Sequence, residues 1–268
     1  YPDSIHPQGH QYLKWFRLDP HPKFIYSLPD CSVEKTICVP HNRNSVLLNY
    51  RINNETDKPC KIRIRPLVNY RDIDRVSSSE QHEFFQKNEE KRVKMFESSE
   101  NNHFLSIGSD LASYYESELS EEERWYRSME YEVERKRGFS FREDHYNPGY
   151  FEMNIEPGES VFNILASGGY GVERYFDRLY SENPREYENL IQKSKDRFEK
   201  LRSTFREKKD KEVKGNLEYL LNSADSFIVD DCMLLAGYHW FTAWGRDSLI
   251  ALPGLTMVQG RDEIAKNV

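Results

Sequence analysis

The sequence is poor in several features that mark secreted, metal-binding or membrane proteins, beginning with paired cysteines. It has four cysteines, and none of them forms a Cys-X-X-Cys pair. Scattered cysteines argue against a zinc site and against a disulfide framework, and they are typical of a reducing compartment. No segment has the pattern of a signal peptide. We therefore predict a cytoplasmic protein without a bound metal.

Basic charge and long apolar runs are also scarce. The chain has 38 Lys and Arg against 45 Asp and Glu, which gives a formal net charge of −7. An acidic chain does not attract a phosphate backbone, so a nucleic-acid partner is excluded. No apolar run approaches the about 20 residues of a membrane helix, so a membrane partner is excluded too. The phosphate-loop, Gly-X-Ser-X-Gly and His-Glu-X-X-His motifs are missing, and we predict no cofactor.

Aromatic residues, in contrast, are abundant. They make up 13% of the chain, with 17 Tyr and 15 Phe, which suits a β-rich core or a surface that stacks on sugar rings. Leu48, Tyr50 and Ile52 alternate with polar residues, as in a half-buried strand. Similar short runs, separated by turn residues, recur up to residue 168. We predict an antiparallel β-sandwich over residues 1–168, with residues 77–100 as a long loop or mobile insertion.

The second part of the chain is helical in pattern. Residues 169–212 are highly charged and predict a helical linker packed on one side. Residues 213–268 predict the first helices of an all-α domain, beginning with a helix from about residue 211 to 230. Its apolar residues fall on one broad stripe: Val213, Leu217, Leu220, Leu221, Ala224, Phe227 and Ile228. Because the chain starts at Tyr1 and stops inside a helical pattern, we expect it to be a piece of a longer protein.

The stretch AGYHWFTAWGRDSLIALPGL, residues 236–255, carries the strongest chemical pattern. Asp247 stands where an apolar helix is predicted to begin, directly after Arg246. The preceding loop is crowded with rings: Tyr238, Trp240, Phe241 and Trp244. Such rings are costly to expose unless they cover something flat and partly apolar, and a sugar ring fits that description.

Two interpretations of Asp247 follow from this position. As a structural residue, it caps free backbone amides and meets the positive end of the helix. As a functional residue, it loses water beside the rings, which favours the protonated acid that glycosidic-bond cleavage needs. The spacing alone does not choose between them, and each tryptophan alone could equally be a core residue.

The same stretch resembles the start of the catalytic domain in prokaryotic glycogen debranching enzymes of the amylo-α-1,6-glucosidase type. Ala-Gly-Tyr, Trp-Phe, Trp-Gly-Arg-Asp and the Pro-Gly-Leu helix follow in the family's order. Other segments are also similar to the family: HPQGHQYLKWFRLDPHPKF (6–24), IRPLVNYRD (64–72), REDHYNPGYFE (142–152) and ADSFIVDD (224–231). His239 departs from the pattern, since proline is expected there.

The resemblance implies a fold and a reaction. The second domain would be an (α/α)6 barrel, of which residues 213–268 hold only the opening helices. The whole protein would hydrolyse α-1,6 branch points of glycogen or limit dextrin by inversion, with Asp247 as general acid. Trp244 and Arg246 would line the site of the cleaved sugar, and Tyr238 and Trp240 would contact substrate. The family's base lies downstream of residue 268, so we expect the chain alone to be inactive.

Two other functions stay open. The β domain could be a non-catalytic glucan-binding module, or the protein could be a related (α/α)6 α-glucosidase or trehalase. We also expect the truncated helices to expose apolar faces and to favour association.

Overall fold

The structure is a computed structural model that describes residues 4–18, 20–73, 75–98, 103–169, 186–238 and 241–268. The chain divides into two compact units, Tyr1–Tyr187 and Glu188–Val268. Most of the described secondary structure is antiparallel β-sheet, as predicted. The three-part division at residues 168 and 212 stays a prediction.

The first unit contains most of the strands. They are β1 (Leu13–Leu18), β2 (Pro22–Ser27), β3 (Cys31–Cys38), β4 (Ser45–Asn54), β5 (Cys60–Ile64), β6 (Phe84–Glu89), β7 (Arg92–Glu97), β8 (His103–Ser109), β9 (Ser113–Glu116), β10 (Trp125–Glu130), β11 (Arg142–Tyr146), β12 (Gly149–Ile155) and β13 (Gly158–Gly168). The second unit adds β14 (Ile228–Val229), β15 (Met233–Gly237) and β16 (Phe241–Ala243). The helices are α1 (Glu132–Arg137), α2 (Glu186–Lys209), α3 (Asn216–Asp225), α4 (Gly245–Leu255) and α5 (Asp262–Asn267).

The strands of the first unit form a large and a small sheet. The eight-stranded sheet has the order β1-β2-β3-β4-β13-β8-β7-β6, and the three-stranded sheet has the order β5-β12-β9. Strands β10 and β11 pair with each other. The two last strands, β12 and β13, are therefore interior strands, one in each sheet.

The two sheets bury a common core. Ile52 and Phe162 of the large sheet share one buried cluster with Phe151 and Ile155 of the small sheet. Along β4, Tyr50 and Ile52 are buried while Arg51 between them is exposed, which is the alternation that the sequence predicts. Tyr50 lies opposite Phe162 in the ladder, and their rings stack with centroids 5.2 Å apart.

The prediction of a loop or insertion at residues 77–100 is wrong, because this segment carries the hairpin of β6 and β7. Val93 and Met95 are fully buried, and Phe84 is 4% exposed. A hairpin at the end of a sheet needs few apolar residues, because only one of its faces meets the core. The charged residues of its other face, such as Lys87 and Lys94, conceal this short alternation.

The alternating run MEYEVER (129–135) predicts a strand, but only Met129 and Glu130 belong to one. Strand β10 ends at Glu130, and α1 follows over Glu132–Arg137. Glutamates in the first turn and basic residues in the last turn suit the helix dipole. Gly138, with φ of 79°, ends the helix in the left-handed conformation.

The two segments 64–72 and 142–152, both singled out by sequence, lie side by side in the first unit. Val68 and Tyr146 exchange two backbone hydrogen bonds, of 2.8 and 3.0 Å. The buried Asn147 donates its side-chain amide to the carbonyl oxygen of Pro66 at 2.7 Å. We call this paired region, residues 64–72 with 142–152, the interlock.

Gly149 is the tightest point of the interlock. A Cβ atom at this position would lie 2.2 Å from the carbonyl oxygen of Tyr115, on the neighbouring strand β9. Real Cβ atoms do not approach a backbone oxygen so closely. Only glycine therefore allows β12 to pass Tyr115 at this distance.

A buried carboxylate completes the interlock. Glu143 is 1% exposed and accepts hydrogen bonds from the Arg71 guanidinium, the Tyr131 hydroxyl, and the backbone and hydroxyl of Ser77. Burial alone would raise the pKa of Glu143, but these donors, Arg71 first, hold it below its usual range. His145 lies between Asn69 and the Tyr131 hydroxyl, and burial lowers its pKa.

The helix predicted from residue 211 to 230 is wrong in its length, because α3 covers only Asn216–Asp225. Gly215, with φ of 58°, precedes it. Asp230 and Asp231 have φ of 51° and 53° and form the turn between β14 and β15. Aspartate tolerates this left-handed conformation better than most residues, so the pair ends the helical pattern.

Asp225 ties the helices of the second unit together. Its buried carboxylate accepts two 2.8 Å hydrogen bonds from Arg197 of α2 and pairs with Arg261, just before α5, at 2.8 Å. Burial alone would raise the pKa of Asp225, but Arg197 and Arg261 hold it below its usual range. None of the helices in the described ranges is long and apolar enough to span a bilayer.

Candidate active site

The candidate site lies in the second unit, where the β15–β16 hairpin leads into helix α4. Leu235 faces Ala243 and Gly237 faces Phe241 across this hairpin. Trp244 is the last extended residue, with φ of −124° and ψ of 124°. The amide of Ser248 donates to the carbonyl oxygen of Trp244 at 2.8 Å, which closes the first helical turn. The site is thus a hairpin end joined directly to a helix start.

Helix α4 begins at Gly245, two residues before the predicted start. Asp247 is therefore inside the first turn rather than at the cap position. Its carboxylate oxygen lies 3.3 Å from Nη2 of Arg246, and its side chain is 36% exposed. A carboxylate in the first turn meets the positive end of the helix, as the structural interpretation requires. It is also open to solvent on one side, as a proton donor must be.

Arg246 is more exposed than its neighbour. Its side chain is 78% exposed, and Asp247 is the acidic partner found for it in the described ranges. An exposed guanidinium offers several N–H donors in a fixed plane. Arg246 can therefore keep its contact with Asp247 and still donate to hydroxyl groups of a ligand.

The aromatic side chains of the site form two contacts. The rings of Phe241 and Trp244 meet edge to face, with centroids 6.3 Å apart, and are about half exposed. Tyr238 packs on Phe227 at 5.2 Å and donates its hydroxyl to the carbonyl oxygen of Ser226. Burial raises the pKa of Tyr238. Each contact fixes the orientation of a ring that still presents surface to solvent.

Buried groups beneath the site hold it in place. The Ser248 hydroxyl donates to the carbonyl oxygen of Leu234 at 3.2 Å, and both residues are buried. This bond joins α4 to β15. Because Ser248 follows Asp247 directly, it fixes the helix turn that carries the carboxylate.

The structure places four of the five predicted site residues, Tyr238, Trp244, Arg246 and Asp247, on the hairpin and the first turn of α4. Trp240, with His239, lies outside the described residues. Sequence reasoning left Phe241 and Ser248 out of the site. Phe241 was already visible as one of the four rings before Asp247, but its contact with Trp244 emerges only from the structure. Ser248 gave no signal, since its role depends on burial against Leu234.

Arg65 and Arg71 have partners within the first unit. Arg71 is bound to Glu143 in the interlock. Arg65 lies over the ring of Tyr150, with its guanidinium carbon 5.7 Å from the centroid.

Comparisons with known proteins give distant structural likenesses. No curated protein matches the chain. A bacterial glucoamylase in complex with acarbose aligns over 92% of this chain and 38% of its own, with 12% identity and a TM-score of 0.49. A polysaccharide lyase aligns over 59% and 23%, with 11% identity and a TM-score of 0.34. A heparan sulfate lyase from Pedobacter heparinus aligns over 59% and 21%, with 15% identity and a TM-score of 0.31. The chain spans less than half of each of these structures.

Two family models match the sequence itself. The model described as glycogen debranching enzyme N terminal matches residues 1–162. The model described as amylo-alpha-1,6-glucosidase matches residues 222–268, which include the whole candidate site. Since the first model alone covers more than half of the chain, and the second follows it in sequence, the protein belongs to the glycogen debranching enzyme family.

Proposed function

We propose that the chain is part of a glycoside hydrolase that cleaves α-1,6-glucosidic branch points of glycogen or limit dextrin. The observation that carries the proposal is the position of Asp247. It lies in the first turn of α4, beside Arg246 and three residues after the half-exposed Trp244, within the segment that matches the amylo-alpha-1,6-glucosidase model. The partner is a branched α-glucan.

In this proposal Asp247 is the general acid. Its carboxyl group donates a proton to the bridging oxygen as the glycosidic bond breaks, so that the leaving sugar departs as an alcohol. The exposed edge of the side chain supports the role, because the donor has to reach a bound sugar. The contact with Arg246 restricts the rotation of the carboxyl group.

The rings and Arg246 would hold the sugar at the cleavage point. Trp244 and Tyr238 present apolar surface that can stack on the faces of glucose units. Arg246 would donate hydrogen bonds to sugar hydroxyls, and Trp240 is proposed as a further contact by resemblance alone. Ser248 would position Asp247 through the helix without touching substrate.

Inversion needs a second carboxylate that activates water, about 6.5–9.5 Å from the acid. We propose that the family's barrel supplies this base downstream of Val268. The finer fold belongs to the same proposal. The first unit, whose two sheets share one core, is a β-sandwich, and the second unit is the opening part of an (α/α)6 barrel. Scattered cysteines, none of them in a Cys-X-X-Cys pair, support a reducing, cytoplasmic location.

The test is Asp247→Asn in the full-length protein, with glucose release from branched limit dextrin as the assay. We expect hydrolysis to fall by about 10²–10⁴-fold, because an amide is too weak an acid to protonate the leaving oxygen. Binding to glycogen should change little. Asp262→Asn is the matched control, since Asp262 also lies in a first helical turn and pairs with a cation, Lys208, at 3.0 Å.

Three results separate the alternatives. If the Asp247→Asn variant hydrolyses the substrate at the wild-type rate, Asp247 is not the general acid. Binding to glycogen without hydrolysis by the wild-type full-length protein would favour a glucan-binding module. Cleavage of a small α-1,4 or α,α-1,1 glucoside in preference to the branch point would indicate a related glucosidase or trehalase.

A further inference from the structure

Two of the free cysteines lie at the same end of the first unit, although they are far apart in the sequence. Cys31 is the first residue of β3, and Cys60 is the first residue of β5. Cys31 lies opposite Asn54 in the large sheet. Cys60 lies opposite Ile155 in the small sheet. Each cysteine therefore pairs across strands with a buried residue, Asn54 or Ile155, at one end of the shared core.

The alternation of side chains directs both thiols toward the space between the sheets. Cross-strand partners share a face of a sheet, so Cys31 is on the face of Asn54, which is 3% exposed and follows the buried Ile52 by two positions. Cys60 precedes Ile62 by two positions, and Ile62 packs against the core. The register therefore places both cysteines at the same end of the space between the two sheets, one on each sheet.

Asn54 joins the two neighbourhoods directly. Its side-chain amide donates to the carbonyl oxygen of Ile155 at 3.2 Å and to that of Lys58 at 2.8 Å. Its side-chain oxygen accepts from the backbone and the hydroxyl of Thr56. This single side chain holds the connection between β4 and β5, and with it the start of β5, against the end of the small sheet. Cys31 is the cross-strand neighbour of Asn54, and Cys60 is the cross-strand neighbour of Ile155.

The two thiols differ in their access to solvent. Cys60 is exposed, whereas Cys31 is half-buried. Burial raises the pKa of Cys31, and the neighbouring Cys60 raises it further, ahead of Asp30 and Glu55. An oxidant in solution therefore meets Cys60 first, and Cys31 reacts second.

We propose that Cys31 and Cys60 form a thiol pair that closes into a disulfide between the two sheets when it meets a low-molecular-weight disulfide such as oxidised glutathione. The Cys60 thiolate attacks one sulfur of glutathione disulfide, which forms a mixed disulfide and releases one glutathione. The Cys31 thiolate then attacks the Cys60 sulfur and releases the second glutathione. The two cysteines lose two electrons and two protons, and one glutathione disulfide becomes two glutathione thiols.

Closure would bind the start of β3 to the start of β5. The large and small sheets would then be joined by a covalent bond as well as by their core, and the β4–β5 connection would be confined in the unfolded chain too. This inference does not depend on the proposed hydrolase activity. It concerns the state of the first unit under oxidising conditions.

The other two cysteines provide internal controls. Cys38 is 1% exposed and should react with neither oxidant nor alkylating agent while the protein is folded. Cys232 is exposed in the second unit and should stop at the mixed disulfide with glutathione. A lone exposed thiol and a paired one are thus compared in the same molecule.

The experiment treats the full, reduced chain with oxidised glutathione under native conditions, and then alkylates it in denaturant for intact-mass and peptide analysis. We expect a cross-linked peptide pair containing Cys31 and Cys60, glutathione on Cys232, and an alkylated Cys38. Cys232→Ser should leave the cross-link unchanged. Cys31→Ser should instead trap glutathione on Cys60.

A disulfide requires the two Cα atoms to come within about 7 Å, so the yield of the cross-link reports on this approach. Oxidation should also raise the temperature at which the β-sheet signal melts in wild type, but not in Cys60→Ser. Far-UV spectra and melting of the reduced variants show whether they fold. Glutathione retained on Cys60 of the folded wild type, or a cross-link that forms only in denaturant, would overturn the proposal.

Discussion

The two units of the chain differ in how far they bury their apolar side chains and pair their buried charges. In the first unit, even the fully buried Glu143 has donors on every side, and the apolar residues of two sheets share one core. In the second unit, Leu249 and Ile250 of α4 are 70% and 74% exposed, and Leu220 of α3 is 65% exposed. The comparison teaches that the two sheets close a shared core between them, whereas helices α3 and α4 present large apolar side chains to solvent.

The largest expected effect on stability comes from removing the buried carboxylate of Glu143. We expect Glu143→Ala to destabilise the first unit by about 3–5 kcal/mol, because Arg71 would remain without its buried partner. Urea denaturation followed by tyrosine and tryptophan fluorescence measures the change. Glu159→Ala removes an exposed ion pair with Arg51 and should have little effect. If both variants lost the same free energy of unfolding, the buried Glu143 would contribute no more than an exposed ion pair.

Gly149→Ala tests how closely strands β12 and β9 pack against each other. The added methyl group would meet the carbonyl oxygen of Tyr115, and we expect a loss of about 1–3 kcal/mol in the free energy of unfolding. Gly9→Ala is the control, since a Cβ atom there has open space. A stable Gly149→Ala protein would mean that β12 shifts away from β9 without strain.

Acid should distinguish the units by the pH at which they weaken. Burial places the pKa of folded His145 below the value near 6.5 of an unfolded histidine. As the pH falls below about 6.5, the unfolded state binds the proton first, so the first unit loses stability. Asp225 has a depressed pKa, so its stabilisation of the second unit is lost only as the pH falls below about 3.9.

The measurement is urea denaturation between pH 7.5 and 5.5. We expect wild type to lose stability over this range and His145→Asn to show a shallower slope. An unchanged slope in the variant would contradict the assignment of this pH dependence to His145.

The smallest effect on stability is expected on the exposed helix. Ile250→Lys should change the free energy of unfolding by no more than about 0.5 kcal/mol, because the side chain is already in solvent. It should nevertheless reduce concentration-dependent association of the chain, measured by sedimentation. Leu221→Ala, at a buried position of α3, should cost about 2–5 kcal/mol. If Ile250→Lys leaves the association of the chain unchanged, the surface through which the chains associate does not include Ile250.

The sequence predicts the strands with clean alternation, such as β4 and β13, because one face of each meets the core. It fails at β6 and β7, where only three apolar side chains are needed and charges surround them. It also extends α3 too far, because the apolar stripe continues through Phe227 and Ile228 while the Asp230–Asp231 turn reverses the chain. Periodicity does not reveal such a reversal when the turn lacks glycine.

The candidate site was predictable as a segment but not as a geometry. The order of rings, Arg246 and Asp247 predicts a ring-rich loop followed by a helix start. The structure has a helix start at Gly245 but places Phe241 in strand β16. That Asp247 lies within the first turn, and that Ser248 anchors this turn to Leu234, depends on contacts between strand and helix. The interlock was also visible only as two separate motifs, since their pairing joins residues about 75 positions apart in the chain.

The order of the sheets has a consequence for synthesis of the chain. Strand β13 separates β4 from β8, and β12 separates β5 from β9, yet both are the last strands of the unit to be translated. A nascent chain that ends before Gly149 therefore holds two half-sheets and two unpaired single strands, with open edges where the missing strands belong. Neither sheet can close until its interior strand emerges from the ribosome. Until that moment the open edges are free to pair with other chains, so this unit should depend on chaperones more than its final stability suggests.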